Sequence, residues 1–401
     1  MHCSRLNSRI TKLSILISFY HAGRTLAAFA VFLLAIVSNV QGHHPSDSYL
    51  NLEISADKLE GQWDIALRDL EFTIGLDSDI DGEVTWGELE SKRNAVEKYA
   101  YAHLRFYVDQ VAVPVRGTDL LVADHSDGVY AVLRFTLPLP PKAMEMRVDY
   151  SLLFATDVRH RGFYQVLQNG TTQNGVLSPT ENYYRCALNN GEMPDSTDQG
   201  FKAFFREGIW HIWMGYDHLL FLLALLLPSV LRRRNGKWVP IPTLRSATLG
   251  VVKVITAFTL AHSLTLSLAA LGWVHLSSRF VESTIAASVI VAACNNIRPV
   301  FLDRGWVVAF IFGLIHGFGF ASVLVDLGLQ TGSLATALIG FNVGVEAGQL
   351  AIVAVFLPLA YALRRSWIYQ GLILKSGSVG IAGIAAVWMC ERVLNFKVLP
   401  F

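Results

Sequence analysis

From about residue 208 the chain is a series of six apolar segments, at about 208–231, 248–273, 280–297, 305–326, 333–363 and 371–391. Each is near or above the length an α-helix needs to cross the hydrocarbon core of a bilayer. No water reaches that core, so a segment of this length must satisfy its own backbone, and the helix does so. The stretch 208–396 is therefore expected to be a polytopic α-helical membrane domain of six transmembrane helices. Loop charges set its orientation. Arg232, Arg233, Arg234, Lys237 and Arg245 lie between the first and second segments, and Arg298 and Arg304 between the third and fourth. Arg364, Arg365 and Lys375 lie between the fifth and sixth, whereas the alternate loops carry only Arg279. An excess of Lys and Arg marks the cytoplasmic side. The start of the first helix and the C-terminus are then both outside.

The first half reads differently. Residues 1–24 hold Arg5, Arg9, Lys12 and Arg24 without an acid, and TLAAFAVFLLAIV and SNVQG follow. That order is expected of a signal peptide over 1–42. It sends residues 43–200 to the same side as the start of the first membrane helix. A cut after Gly42 would begin the mature chain at His43 and His44, a candidate N-terminal chelate for a transition metal. Beyond it, SYLNLEI, QWDIALRDL, LRFYVDQVAV, GVYAVLRFTL, EMRVDYSLLF and GFYQVLQ alternate apolar and polar residues. Period two with β-branched and aromatic residues predicts strands. About seven of them predict a mainly-β, antiparallel, sandwich-like domain. Cys186 is its one cysteine, so no disulfide framework holds it together.

One insertion breaks that pattern. DSDIDGEVTWGE, residues 77–88, has the ligand spacing of an EF-hand-like loop followed by a helix. Asp77, Asp79 and Asp81 take positions 1, 3 and 5, and Gly82 the sharp turn at 6. Glu83 offers its carbonyl at 7, Thr85 stands at 9, and Glu88 is the bidentate ligand at 12. The expected ion is Ca²⁺. A lone loop outside the cytoplasm fits a weak structural site better than a sensor.

The membrane segments carry groups that lipid does not accommodate. The first, HIWMGYDHLLFLLALLLP, holds His211, Asp217 and His218. Read as one helix, it sets His211 and His218 two turns apart on one face. A carboxylate near the bilayer centre costs about 2.5–3.5 kcal/mol on insertion scales, so Asp217 needs a partner. His262 falls in the second segment, Glu282 near the outer end of the third, and His316 in the fourth. The fifth carries Asn342, Glu346 and Gln349 on one face. Intramembrane ionisable groups face the bundle interior and mark pathways or sites. Imidazole and carboxylate without thiolate suit Ni²⁺, Co²⁺ or Zn²⁺. His211, Asp217, His218, His262, His316 and Glu346 are therefore expected to share one metal site, with Asn342, Gln349 and Glu282 as secondary polar groups. A net charge of +1 excludes nucleic acid as the partner.

HIWMGYDH, TAFTLAHSLTLSLAALG, FIFGLIHGFGFAS and FNVGVEAGQ together resemble the HupE/UreJ family, in the subgroup that carries an exported N-terminal domain. These are nickel permease-like membrane proteins tied to hydrogenase and urease loci. The resemblance covers roughly 205–395 well and HHPSDSYLNL more loosely. It implies metal recognition by His211, Asp217 and His218, further polar positions at His262, His316 and Glu346, and a metalloenzyme maturation system as partner. The expected location is a bacterial inner membrane, with the N-terminal domain on its periplasmic or extracellular side. The leading expectation is a permease for Ni²⁺ or Co²⁺, with the bilayer and the ion as partners and no enzymatic activity. Two alternatives stay open. Three histidines and an aspartate could hold Zn²⁺ and activate water in an intramembrane hydrolase, although no HExxH is present. A non-catalytic assembly factor would instead use the exported domain as its binding module.

Overall fold

The computed structural model describes residues 47–125, 128–188, 196–234, 237–274, 276–301, 304–326 and 331–394. The expected signal peptide over 1–42 and the candidate chelate at His43 and His44 lie outside these residues.

The first part is mainly β. Its elements in order are β1 (Asp47–Ile54), β2 (Lys58–Ala66), α1 (Leu67–Ile74), α2 (Trp86–Ser91), α3 (Arg93–His103), β3 (Leu104–Val108) and β4 (Val111–Val113). There follow β5 (Arg116–His125), β6 (Gly128–Pro138), β7 (Glu145–Tyr150), β8 (Arg161–Gln168), β9 (Thr171–Leu177) and β10 (Tyr183–Ala187). A six-stranded sheet of order β5-β6-β2-β1-β8-β9 accompanies a four-stranded sheet of order β10-β7-β3-β4. The alternating residues of the strands fill one core, with Trp63, Phe106, Phe135 and Tyr150 among its fully buried rings.

Three details depart from the sequence reading. Among the described residues ten strands form where about seven were expected, because short strands such as β4 and β10 carry too few residues to show a period. The sandwich is not wholly antiparallel: β1 and β8 run parallel, with Tyr49 opposite Phe163. The chain passes through the second sheet between these strands, which gives the long crossover that parallel pairing requires. Finally, QWDIALRDL is half strand and half helix, since β2 ends at Ala66 and α1 begins at Leu67. Leu70 of α1 and Leu89 of α2 are both buried in the core, so the 77–88 loop is clamped by a helix on each side.

The second part is helical: α4 (Ser196–Met214), α5 (Tyr216–Leu226), a hairpin of β11 (Leu231–Arg234) and β12 (Lys237–Pro240), α6 (Leu244–Ala270) and α7 (Ser278–Ile297). Then come α8 (Gly305–His316), α9 (Ala321–Asp326), α10 (Thr331–Leu363), a π-helical stretch (Ile368–Ile373) and α11 (Leu374–Leu394). Among the described residues four helices are long and apolar enough to cross a membrane, namely α6, α7, α10 and the continuous 368–394 helix. The pair α4 and α5, bent by 69°, makes a fifth if taken as one span. The expected fourth segment is divided into α8, of 12 residues, and α9, of 6. At 1.5 Å per residue α8 rises about 18 Å, about 60% of the hydrocarbon thickness.

Glycines let these helices touch. A Cβ on Gly208 of α4 would stand 2.1 Å from the Phe341 carbonyl oxygen, and one on Gly344 of α10 would stand 2.0 Å from that of Phe205. The α6–α8 crossing is nearly as close, since a Cβ on Gly313 would stand 2.5 Å from the Phe258 carbonyl oxygen. Small residues are what permit such backbone approach.

The β part rests directly on α4. Tyr49, Phe163 and Val176 share an apolar cluster with Phe204 and Ile212. Arg161 of β8 donates through Nε to both Glu207 oxygens, at 3.0 and 3.1 Å, and its Nη1 donates to the carbonyls of Val158 and His160. Glu207→Ala leaves that buried guanidinium without its counter-charge. A cost of about 3–5 kcal/mol is expected, read as a lower Tm of the detergent-solubilised protein. Arg161→Met combined with Glu207→Leu should recover most of it, because an apolar pair of similar volume is tolerated where a lone charge is not.

Candidate metal centre

The two interrupted segments, α4–α5 and α8–α9, are interrupted at the same place. His211 lies in the last turn of α4, and the chain leaves the helix at Gly215 (φ −76°, ψ 102°). Asp217 opens α5 in its first turn, and His316 is the last residue of α8. The straight 211–228 helix expected from sequence is thus two half-helices, and His218 reaches His211 by the bend rather than by sharing its face. A Cβ at Gly215 would stand 2.5 Å from the His211 carbonyl and 2.9 Å from Asp217 Oδ1, so only glycine leaves room for these groups. Helix C-termini carry partial negative charge and N-termini partial positive charge. Two C-terminal ends at one point favour a cation, and Asp217 offsets the N-terminus of α5. Interrupted membrane helices of this kind build ion sites.

The bends gather four imidazoles. Ring centroids are 4.5 Å apart for His211 and His218, 5.1 Å for His218 and His316, and 6.2 Å for His218 and His262. They form two overlapping ligand sets, His211–His218–His262 and Asp217–His218–His316, each with its donor atoms within 4.8 Å of one another. His218, His262 and His316 are buried. Phe258, Phe320 and Phe341 pack against the rings.

Five ring nitrogens here make no hydrogen bond: His211 Nε2, His218 Nδ1 and Nε2, His262 Nε2 and His316 Nδ1. His218 Nδ1 lies 3.0 Å from Asp217 Oδ1, an ion-pair distance without hydrogen-bond alignment. A buried polar atom left unpaired costs about 1–3 kcal/mol. Such atoms from four helices converge at one place, where their chemistry could hold a cation. A cavity of about 590 Å³ connects this floor to the β part, running from Asp47 and Arg161 past Glu207 to His211 and Asp217.

Not every expected ligand is gathered. Glu346 lies outside both sets and accepts a hydrogen bond from Thr256 Oγ1 at 3.0 Å. Gln349 accepts one from Thr259 at 3.2 Å, and Asn342 lies 3.4 Å from His262 Nδ1. These three join α10 to α6; only Glu346 was expected among the metal ligands, and Asn342 is the one that stands beside an imidazole. Glu282 lines the cavity and pairs with Arg392 at 2.7 Å. Sequence reasoning passed over Ser288 of α7, whose Oγ is 3.0 Å from His316 Nε2. A lone serine in an apolar helix most often bonds its own backbone, and nothing local sets it apart.

The 77–88 loop is a second group of carboxylates. Asp77, Asp79 and Asp81 bring oxygens within 4.8 Å of one another. Gly82 takes the left-handed turn at φ +89°, while Asp77 accepts from the Ile80 and Gly82 amides. Glu83 donates its amide to Asp81. Glu88 is turned onto the loop backbone, where the amides of Thr85 and Ser78 hold its carboxyl down at about 2. Thr85 and Glu88 form a capping box for α2. The neighbouring Asp81 charge pushes the Asp79 carboxyl up, a repulsion a bound cation would relieve.

A sequence model of the family described as HupE / UreJ protein matches residues 188–392. That range holds every intramembrane residue named above. No curated protein matches the chain.

Proposed function

This chain belongs to the HupE/UreJ family, and on that premise we propose that it is a multi-pass membrane permease for a divalent transition metal, Ni²⁺ first and Co²⁺ second. The observation that carries the reading is the set of buried, unpartnered nitrogens from four histidines beside Asp217. The metal is the cargo. Neutral imidazoles and one carboxylate offer the borderline ligands such ions prefer. Three-ligand sets bind weakly enough to let the ion go, as a conducting site must.

The chain spans an inner membrane six times in this reading, with α8 and α9 as a broken fourth segment. Basic loops lie inside, and the β part lies outside. The ion enters through the cavity beneath the β part and reaches His211 and Asp217 first. It then passes between the two ligand sets through their common member, His218. Thr256 and Glu346 lie towards the basic, inner end of α6, beyond His262, where a carboxylate can take part in release or proton exchange. The test is uptake of radioactive nickel, cobalt and zinc by cells expressing the wild type, His218→Ala and Asp217→Asn. Equal uptake in all three removes the proposal.

The 77–88 loop in this reading holds Ca²⁺ weakly as a structural ion. Glu88 is ionised throughout the physiological range and needs only to swing from the backbone amides to the ion. Asp77→Ala should lower the Tm when millimolar Ca²⁺ is present and leave the Tm in chelator unchanged. A wild-type Tm that does not respond to Ca²⁺ would remove the assignment.

A further inference from the structure

Two neutral residues decide which nitrogen each of two histidines can give to a metal. Ser288 Oγ lies 2.7 Å from the Ile285 carbonyl oxygen and 3.0 Å from His316 Nε2. A carbonyl only accepts, so the serine hydrogen goes to Ile285. The serine oxygen must then accept from His316, which places the ring proton on Nε2. A neutral imidazole has one donor and one acceptor nitrogen, so the lone pair is on Nδ1. That is the His316 nitrogen left without a partner.

His262 is held by the same logic in the opposite sense. Asn342 Nδ2 donates to the Leu338 carbonyl at 2.8 Å, which turns its oxygen towards His262 Nδ1 at 3.4 Å. An amide oxygen only accepts, so Nδ1 carries the proton and Nε2 the lone pair. Nε2 is again the unpartnered atom. The two rings belong to different ligand sets, and only His218 belongs to both. His218 has both nitrogens without hydrogen bonds, but its Nδ1 stands 3.0 Å from Asp217 Oδ1, so Nδ1 faces the Asp217 set and Nε2 is left for the other.

We propose that Ser288 and Asn342 are positioning residues that fix His316 and His262 in opposite tautomers, so that the cluster offers two adjoining metal positions joined at His218. One position takes His211, His218 and His262 Nε2, and the other takes Asp217, His218 and His316 Nδ1. Because the positions share a ligand, they are filled one at a time, and the ion moves between them as His218 exchanges the nitrogen it presents. This rests on the divalent-metal reading of the site.

Titration of the full-length, detergent-purified protein with Co²⁺, followed by its visible d–d absorption, tests the assignment. His262→Ala confines the ion to the Asp217–His218–His316 position, and His316→Ala confines it to the other. Ser288→Ala should weaken Co²⁺ binding about 10–100-fold, the usual effect of losing an outer-shell partner, and alter the spectrum in the His262→Ala background. In the His316→Ala background it should change neither, and Ser288→Thr should restore both where they were lost. Asn342→Ala should show the mirror pattern. Equal effects of Ser288→Ala in the two backgrounds, or no effect in either, overturn the inference and leave the metal reading standing. A wild type that binds no Co²⁺ overturns the metal reading and the inference with it.

Discussion

Gly208→Leu is expected to leave no correctly assembled membrane domain. α4 and α10 meet backbone to backbone at Gly208 and Gly344, where even one added carbon falls about 2 Å from a carbonyl oxygen of the facing helix. A separation near 2 Å lies far inside van der Waals contact, and neither backbone can yield without moving its helix. Overpacking a well-filled core costs about 1–3 kcal/mol when side chains can adjust; here backbones must part, so the cost exceeds that range. α4 also carries His211 and the Glu207 pair to Arg161, so its displacement takes the metal pocket and the interdomain contact with it. Size-exclusion chromatography in mild detergent should show aggregate in place of the monodisperse wild-type peak. Gly250→Leu is the control, because a Cβ there has open space around it.

His218→Ala should reduce metal uptake by more than about 100-fold, beyond the ~10–100-fold that follows loss of an outer-shell partner. Both ligand sets include His218, so its loss leaves each with two members. His211→Ala or His316→Ala should be milder, since each damages one set. The ring removed makes no hydrogen bond but stands 3.0 Å from Asp217, so His218→Asn, which leaves that carboxylate a donor, is the control for the fold. A metal that binds only the folded protein stabilises it by about 2.7 kcal/mol at one hundred times its Kd. Nickel should therefore raise the Tm of the wild type and leave that of His218→Ala unchanged. A nickel-induced shift that persists in the variant would place the ion elsewhere.

Much of the site was legible from the chain because its evidence is local. A histidine or aspartate in an apolar segment stands out against its neighbours, and His211, Asp217, His218, His262 and His316 could each be named without knowing how the helices cross. Glu346 shows the limit. It stands out equally well, yet it faces Thr256 rather than the imidazoles, because the crossing of α6 and α10 sets its neighbour. Ser288 shows the opposite case: it matters through one contact with another helix and leaves no trace in its own segment. Strand existence was readable from alternation, whereas the parallel pairing of β1 with β8 depends on how the chain passes between two sheets.

The sequence by itself determined that a β part precedes an apolar helical part, and which ionisable side chains stand out in its apolar segments. These follow from composition and short periodicities, which act residue by residue. Only the tertiary structure decided that two apolar segments break at Gly215 and after His316, that five side chains fall into two sets around His218, and which nitrogen His262 and His316 leave free. A bend, a crossing and a tautomer are each set by atoms from a distant helix, and close packing at glycine contacts brings those atoms within reach.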